Sequence, residues 1–155
     1  VYYGDEQGFI GEGHDKGSRQ NMNPSKVKSF NASNLLATDK TTADDNFDIS
    51  HPFYRLFAEY AHVKIANPAL RYGVTTTLYS QDTPGVYALS RKTDEQEIIV
   101  VINTANSEQS ASFPLKAESV AAIYQGAGDN HQVNLKDNKV SVTLPSLSFT
   151  VFEVK

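Results

Sequence analysis

Glu97-Ile98-Ile99-Val100-Val101-Ile102-Asn103 is apolar from end to end between two polar residues. A run of this length without alternation reads as a strand buried on both faces, and so as the central strand of its sheet. Outward from it, from Val74 to the C-terminus, the hydrophobic period is two. The expected strands are Val74–Ser80, Gly85–Arg91, Glu97–Asn103, Gln109–Pro114, Ser119–Tyr124, His131–Leu135, Lys139–Leu144 and Ser148–Val154. Turn-forming residues separate them, as in Gln81-Asp82-Thr83-Pro84-Gly85, Lys92-Thr93-Asp94, Gly126-Ala127-Gly128-Asp129-Asn130 and Lys136-Asp137-Asn138. Short strands at regular spacing mean a sandwich or barrel. Val140, Val142 and Leu144 alternate with Ser141 and Thr143, which gives that strand one wet face. Phe149, Val151 and either Phe152 or Val154 close the core. The chain is expected to be mainly β, an antiparallel β-sandwich.

Before the sandwich the period is helical. Ser50-His51-Pro52 opens a helix with Ser50 as cap and Pro52 in the first turn, where its missing donor costs nothing. Phe53, Leu56, Phe57, Tyr60 and Val63 share one face, an aromatic stripe expected to pack. Pro68 ends the helix by pushing Asn67 out of the helical region. From Gly8 to Ser50 there is little periodicity, and so long a connection is usually functional or disordered. Gly8-x-x-Gly11-x-Gly13 is not a phosphate loop, since no helix pattern follows and no Gly-Lys-Ser/Thr is present. It reads as a loop that bends over a site. A helical turn is expected around Pro24–Phe30 with Ser25 as cap. Thr41–Asp48 is acidic but lacks the alternating ligands and the Gly of a calcium loop, so it reads as a solvated turn.

The chain starts with Val1-Tyr2-Tyr3-Gly4-Asp5-Glu6-Gln7-Gly8-Phe9. An apolar run that breaks into Gly and adjacent acids resembles a buried parallel strand ending at a polar rim, where barrel enzymes keep their sites. Such a strand needs neighbours on both edges. This one starts at residue 1 without a Met, so the chain is expected to be the end of something larger.

Composition narrows the function classes. The 155 residues suffice for one good core, or a small domain plus part of another, and 39% hydrophobic content excludes disorder. A net charge of −4 argues against nucleic acid and anionic membranes as partners. No apolar run approaches the roughly 18 residues of a membrane helix. With no Cys there is neither a disulfide framework nor a thiolate metal site, and no two His stand at metal-ligand spacing.

Tyr2-Tyr3-Gly4-Asp5-Glu6-x-Gly8 resembles the eighth barrel strand of the α-amylase family of glycoside hydrolases, family 13. His14-Asp15-Lys16-Gly17-Ser18-Arg19-Gln20-Asn21-Met22 is similar to the family's loop after that strand. Asn67-Pro68-Ala69-Leu70-Arg71-Tyr72-Gly73 is similar to its exit from the last barrel helix. The remainder resembles domain C, the sandwich that follows the barrel. The resemblance implies two parts: residues 1–70 as the last strand, loop and helix of a (β/α)8 barrel, and 71–155 as a Greek-key sandwich. Many relatives carry a Trp after the Met of the loop; this chain has Asn23-Pro24 there and no Trp at all.

Adjacent residues on a strand point to opposite sides, whereas the two carboxyls of a retaining glycosidase lie about 5–5.5 Å apart across one bond. Asp5 and Glu6 are therefore not a catalytic pair. The family's catalytic carboxylates come from the fourth, fifth and seventh strands, outside this chain, and no residue here is assigned as catalytic. Gly4, Asp5 and Glu6 are expected to brace the barrel rim. Arg19 is the first candidate for substrate binding, because the matching Arg of many relatives lies near the sugar groove and a planar guanidinium bonds hydroxyls well. His14, Asp15 and Lys16 are its companions. His51 reads as a helix-start residue, and His62 and His131 as surface. The resemblance implies an α-glucan bound through the parent's barrel and the rest of that barrel as partner. It implies no cofactor in this chain, with a structural calcium conceivable elsewhere in the parent, and it favours an extracellular or periplasmic setting. The alternative is a free-standing carbohydrate-binding or interaction sandwich.

Overall fold

The computed structural model describes residues 2–11, 13–126, 128 and 130–155. The chain divides into two compact units, Val1–His62 and Val63–Lys155.

The second unit is the antiparallel sandwich. Its strands are β1 (Val74–Tyr79), β2 (Val86–Lys92), β3 (Glu97–Asn103), β4 (Gln109–Pro114), β5 (Val120–Gln125), β6 (Gln132–Lys136), β7 (Lys139–Leu144) and β8 (Ser148–Val154). The bounds of β3, β4, β7 and β8 are those expected; β1 ends one residue early, and β2, β5 and β6 each lie one residue further along the chain at both ends. Ala127 and Asp129 of the expected turn after β5 lie outside the described residues. One sheet runs β1-β2-β3-β8-β5 and the other β4-β7-β6. β3 is the middle strand of five, and its composition follows from that place. Ile99 and Val101 enter the core with Val86, Ala88, Phe113, Val140, Val142, Leu144 and Phe152, while Ile98 packs on the opposite side with Ala69 and Val151. β7 has the wet face its alternation implies, with Ser141 exposed between buried Val140 and Val142.

Asn103, at the end of β3, is fully buried and joins the two sheets. Its Nδ2 donates to the carbonyls of Ser107 (2.9 Å), Leu144 (3.2 Å) and Pro145 (2.6 Å), and its Oδ1 accepts from the Ala105 amide (2.9 Å). Both ends of its amide are thus bonded to backbone where the chain passes between the sheets.

The helical stretch is broken in two, α1 (Pro52–Ala66) and α2 (Pro68–Tyr72), with Asn67 extended between them as the following proline requires. α2 belongs to the sandwich unit. The Ala69 amide donates to Gln96 Oε1 (3.1 Å), and Gln96 Nε2 donates to Asn67 Oδ1 (3.2 Å) and Glu153 Oε1 (3.0 Å). Arg91 donates to the carbonyls of Ala69 and Leu70 near the end of α2.

In the first unit the structure departs from expectation. Of the expected strand Val1–Tyr3, Val1 lies outside the described residues, and Tyr2 and Tyr3 are not extended in a sheet. Instead the Asp5 amide bonds the Tyr2 carbonyl and a 3₁₀ turn follows over Asp5–Gln7. A parallel strand exists only by pairing, and no described segment supplies it an edge. The turn depends on two glycines. Gly4 has φ 94°, and a Cβ there would lie 2.7 Å from the Phe9 ring; at Gly8, φ 73°, it would lie 2.4 Å from the Leu36 carbonyl oxygen.

The stretch 8–50 is a folded unit rather than a loose connection, and much of its interior is polar. Gln7 and the Asp48 backbone bond reciprocally across 41 residues, with Nε2 donating to the carbonyl (3.1 Å) and Oε1 accepting from the amide (3.3 Å). Buried Thr42 donates to Asn31 Oδ1 (2.7 Å), Asn31 Nδ2 donates to the Ser25 carbonyl (2.8 Å), and the Ser25 amide bonds the Thr42 carbonyl (2.7 Å). Ser25 Oγ accepts from the Val27 amide, but the 3₁₀ turn forms later, at Phe30–Ala32. In the acidic turn Asn46 is buried and donates to the carbonyls of Thr41 and Asp44.

The cap of α1 is His51, not Ser50. His51 is buried, its Nδ1 accepts from the Phe53 amide (3.2 Å), and its Nε2 donates to the Leu36 carbonyl (3.1 Å). Ser50 instead donates its amide and hydroxyl to Asp48. Phe53, Phe57, Tyr60 and Val63 are only half-buried and Leu56 is exposed, so the aromatic stripe does not form a closed core. His62 is exposed, whereas His131 is half-buried with Nε2 shielded from solvent.

Candidate functional site

The candidate residues fall in one tight loop, 13–20. Gly13 has φ 67°, and the Ser18 amide returns to the His14 carbonyl (3.1 Å). His14 Nδ1 accepts from the Gly17 amide (3.2 Å), and Ser18 Oγ donates to the His14 carbonyl (3.2 Å). On this frame Arg19 Nη2 reaches Asp15 Oδ2 at 2.7 Å. The pair is largely exposed, with 67% and 76% of the two side chains accessible, and an exposed pair contributes about 0–1 kcal/mol. A guanidinium carries five donors, and this pair engages one of its nitrogens. Lys16 is exposed on the same turn.

Asp5 and Glu6 are turned to their own backbone. Asp5 Oδ2 accepts from the Tyr2 amide (2.6 Å) and Glu6 Oε2 from the Gly4 amide (3.2 Å). The two carboxylates tie the 3₁₀ turn, whose glycines Gly4 and Gly8 shape it.

The legs of the loop meet around a cavity of about 210 Å³ lined by Tyr2, Tyr3, Asp5, Phe9, Ser18 and Gln20, among others. Gln20 is 6% exposed and its Oε1 has no hydrogen-bond partner among the described residues. Beside the cavity Tyr3 Oη donates to Asn21 Oδ1 (3.2 Å) and accepts from the amide of buried Met22 (3.2 Å). Asn21 Oδ1 also accepts from the Asn23 amide (3.1 Å). The sequence reading did not single out Tyr3, Asn21 or Gln20. The available signal was a Tyr at a polar rim, since a tyrosine hydroxyl placed among backbone finds a partner.

Asp48 forms the other charged cluster. Its carboxyl is held well below the usual carboxylate range by the Ser50 hydroxyl, by Lys40 (Nζ 3.0 Å) and by the Ser50 amide. These bonds close the segment that leads into α1.

Against known proteins, 39% of residues are identical to an α-amylase of Streptomyces lividans across 99% of this chain. By sequence and by fold, this chain is α-amylase-like. It spans 17% of the length of that relative. The α-amylase structure from H. orenii shares the fold over 100% of this chain and 32% of its own, with TM-score 0.69 and 16% identity. A debranching enzyme of Nostoc punctiforme shares it over 71% of this chain and 24% of its own, with TM-score 0.55 and 20% identity. No family model matches the α-amylase-like chain.

Proposed function

We propose that this chain is the part of a longer α-amylase-type glycoside hydrolase that completes the catalytic barrel and adds its stabilising sandwich. In this reading the parent cleaves α-glucosidic bonds of α-glucans with retention, and this chain carries no cofactor. The observation that carries it is the 39% identity to an α-amylase maintained over 99% of the chain. The chain supplies Arg19, paired with Asp15, to the sugar groove, with His14 shaping the turn and Lys16 beside them. The general acid and nucleophile come from barrel strands outside this chain, as the resemblance implies, while Asp5 and Glu6 brace the turn through backbone amides. Against a free-standing sugar-binding module, the sandwich tyrosines Tyr79, Tyr87 and Tyr124 are half-buried rather than presented as a stacking surface.

The test is enzymatic. The purified chain releases no reducing sugar from soluble starch above a buffer control, and the full-length protein does; release by the chain alone, or none by the parent, overturns the reading. In the parent, Arg19→Lys lowers kcat/KM about ten- to a hundredfold, the equivalent of one charged hydrogen bond of roughly 1.5–3 kcal/mol. Unchanged kinetics at normal stability removes Arg19 from the groove.

A further inference from the structure

The Arg19 side chain is exposed, and among the described residues its partner is a surface carboxylate four residues away. A surface ion pair costs side-chain entropy and holds a geometry weakly. A guanidinium that must meet sugar hydroxyls within a few tenths of an ångström needs a stiffer support. The N-terminal leg of the loop has one in the His14–Ser18 bonds. On the C-terminal leg, the nearest anchor after Arg19 is Tyr3. Its hydroxyl is used twice, donating to Asn21 Oδ1 and accepting from the Met22 amide, across 18 and 19 residues of chain. Met22 is buried and its carbonyl accepts from the Asn46 amide, so the point to which Tyr3 ties the leg is itself fixed.

We infer that Tyr3 is a positioning residue for sugar binding, its hydroxyl pinning Asn21 and Met22 so that Arg19 keeps one orientation toward an α-glucan. This rests on the reading of Arg19 given above. The Tyr3 ring is half exposed, yet its hydroxyl is committed to the loop. Loss of that hydroxyl frees the Met22 amide and leaves Asn21 Oδ1 held by Asn23 alone, three and two residues from Arg19, without opening a core.

The experiment uses the full-length protein with Tyr3→Phe, Arg19→Lys and both changes together. Tyr3→Phe raises KM for maltooligosaccharides about three- to tenfold, as expected for one or two neutral hydrogen bonds, and leaves kcat close to the parent value. Combined with Arg19→Lys it adds little, because both changes damage the same contact. Asn21→Ala, which removes the other end of the bond, repeats the effect; Asn21→Asp keeps the acceptor and keeps KM. Thermal unfolding of each variant separates a loose loop from an unfolded one. If Arg19→Lys raises KM and Tyr3→Phe does not, or if the two effects add in full, the inference is overturned and the Arg19 reading stands. If Arg19→Lys has no effect, the Arg19 reading fails and this inference fails with it.

Discussion

At the scale of the residue, buried polar side chains decide more of this chain than its apolar count suggests. Asn103 is the clearest case, with both ends of its amide spent on backbone between the sheets. Asn103→Asp replaces a donor by an anion facing three carbonyls, and Asn103→Ala removes the amide's bonds to all three, leaving the Pro145 carbonyl with the Ser148 hydroxyl. An unpaired buried group costs about 1–3 kcal/mol, so Asn103→Ala is expected to cost about 3 kcal/mol in urea unfolding, and the Asp variant more. A loss below about 1 kcal/mol for Ala would mean that water replaces the amide. Asp48 gives a test with a sign. Its folded carboxyl titrates below its unfolded value, so its contribution is complete above the unfolded value, about pH 4. It is lost as pH falls below that toward the folded value. The stability difference between the chain and Asp48→Asn is therefore constant near neutrality and shrinks under acid. A difference that persists unchanged at the lowest pH where the chain still folds would refute the assignment.

Among the elements, the helical stretch shows what proline and neighbours each decide. Pro68 divides it as its chemistry requires, and Asn67 is extended accordingly. The N-terminal cap went to His51 instead of Ser50, because Asp48 claims the Ser50 amide and hydroxyl while Leu36 fixes the imidazole. That choice is made by residues 3 and 15 positions away. α2 is held to the sandwich by Gln96 and Arg91, and Ala69 is buried against Ile98 and Val151. A chain begun at residue 71 is therefore expected to unfold about 2 kcal/mol or more below one begun at residue 63, from lost hydrogen bonds and the uncovered Ile98 face. Equal urea midpoints would mean that α2 adds nothing.

For the molecule as a whole, the two units differ in what stabilises them. The sandwich has a closed apolar core, whereas the first unit rests largely on Gln7, Thr42, Asn46 and His51, with Met22 and Leu35 as its main buried apolar residues. Hydrogen-bonded polar interiors gain little net free energy, since each bond replaces one to water. Hydrogen exchange should then be slow at Ile98–Ile102 and Phe149–Phe152 and fast across Gly8–Asp48. Equal protection in both halves would show that the polar network is worth as much as the core.

The sequence alone determined the sandwich, its eight strands to within a residue at each end and the central place of β3, because alternation and turn chemistry are local and agree with one another along this half. It also placed the candidate loop, since His14, Asp15, Lys16 and Arg19 lie within six positions. Only tertiary structure decided the fate of Tyr2 and Tyr3, whose β-propensity cannot form a strand without an edge to pair with. The same is true of the cap at His51, the reciprocal bond of Gln7 and Asp48, and the pinning of Met22 by Tyr3. Each joins residues 15 to 41 positions apart through polar atoms. A hydrogen-bonding side chain has no periodicity to announce its partner, and in this chain such pairs run through the first unit.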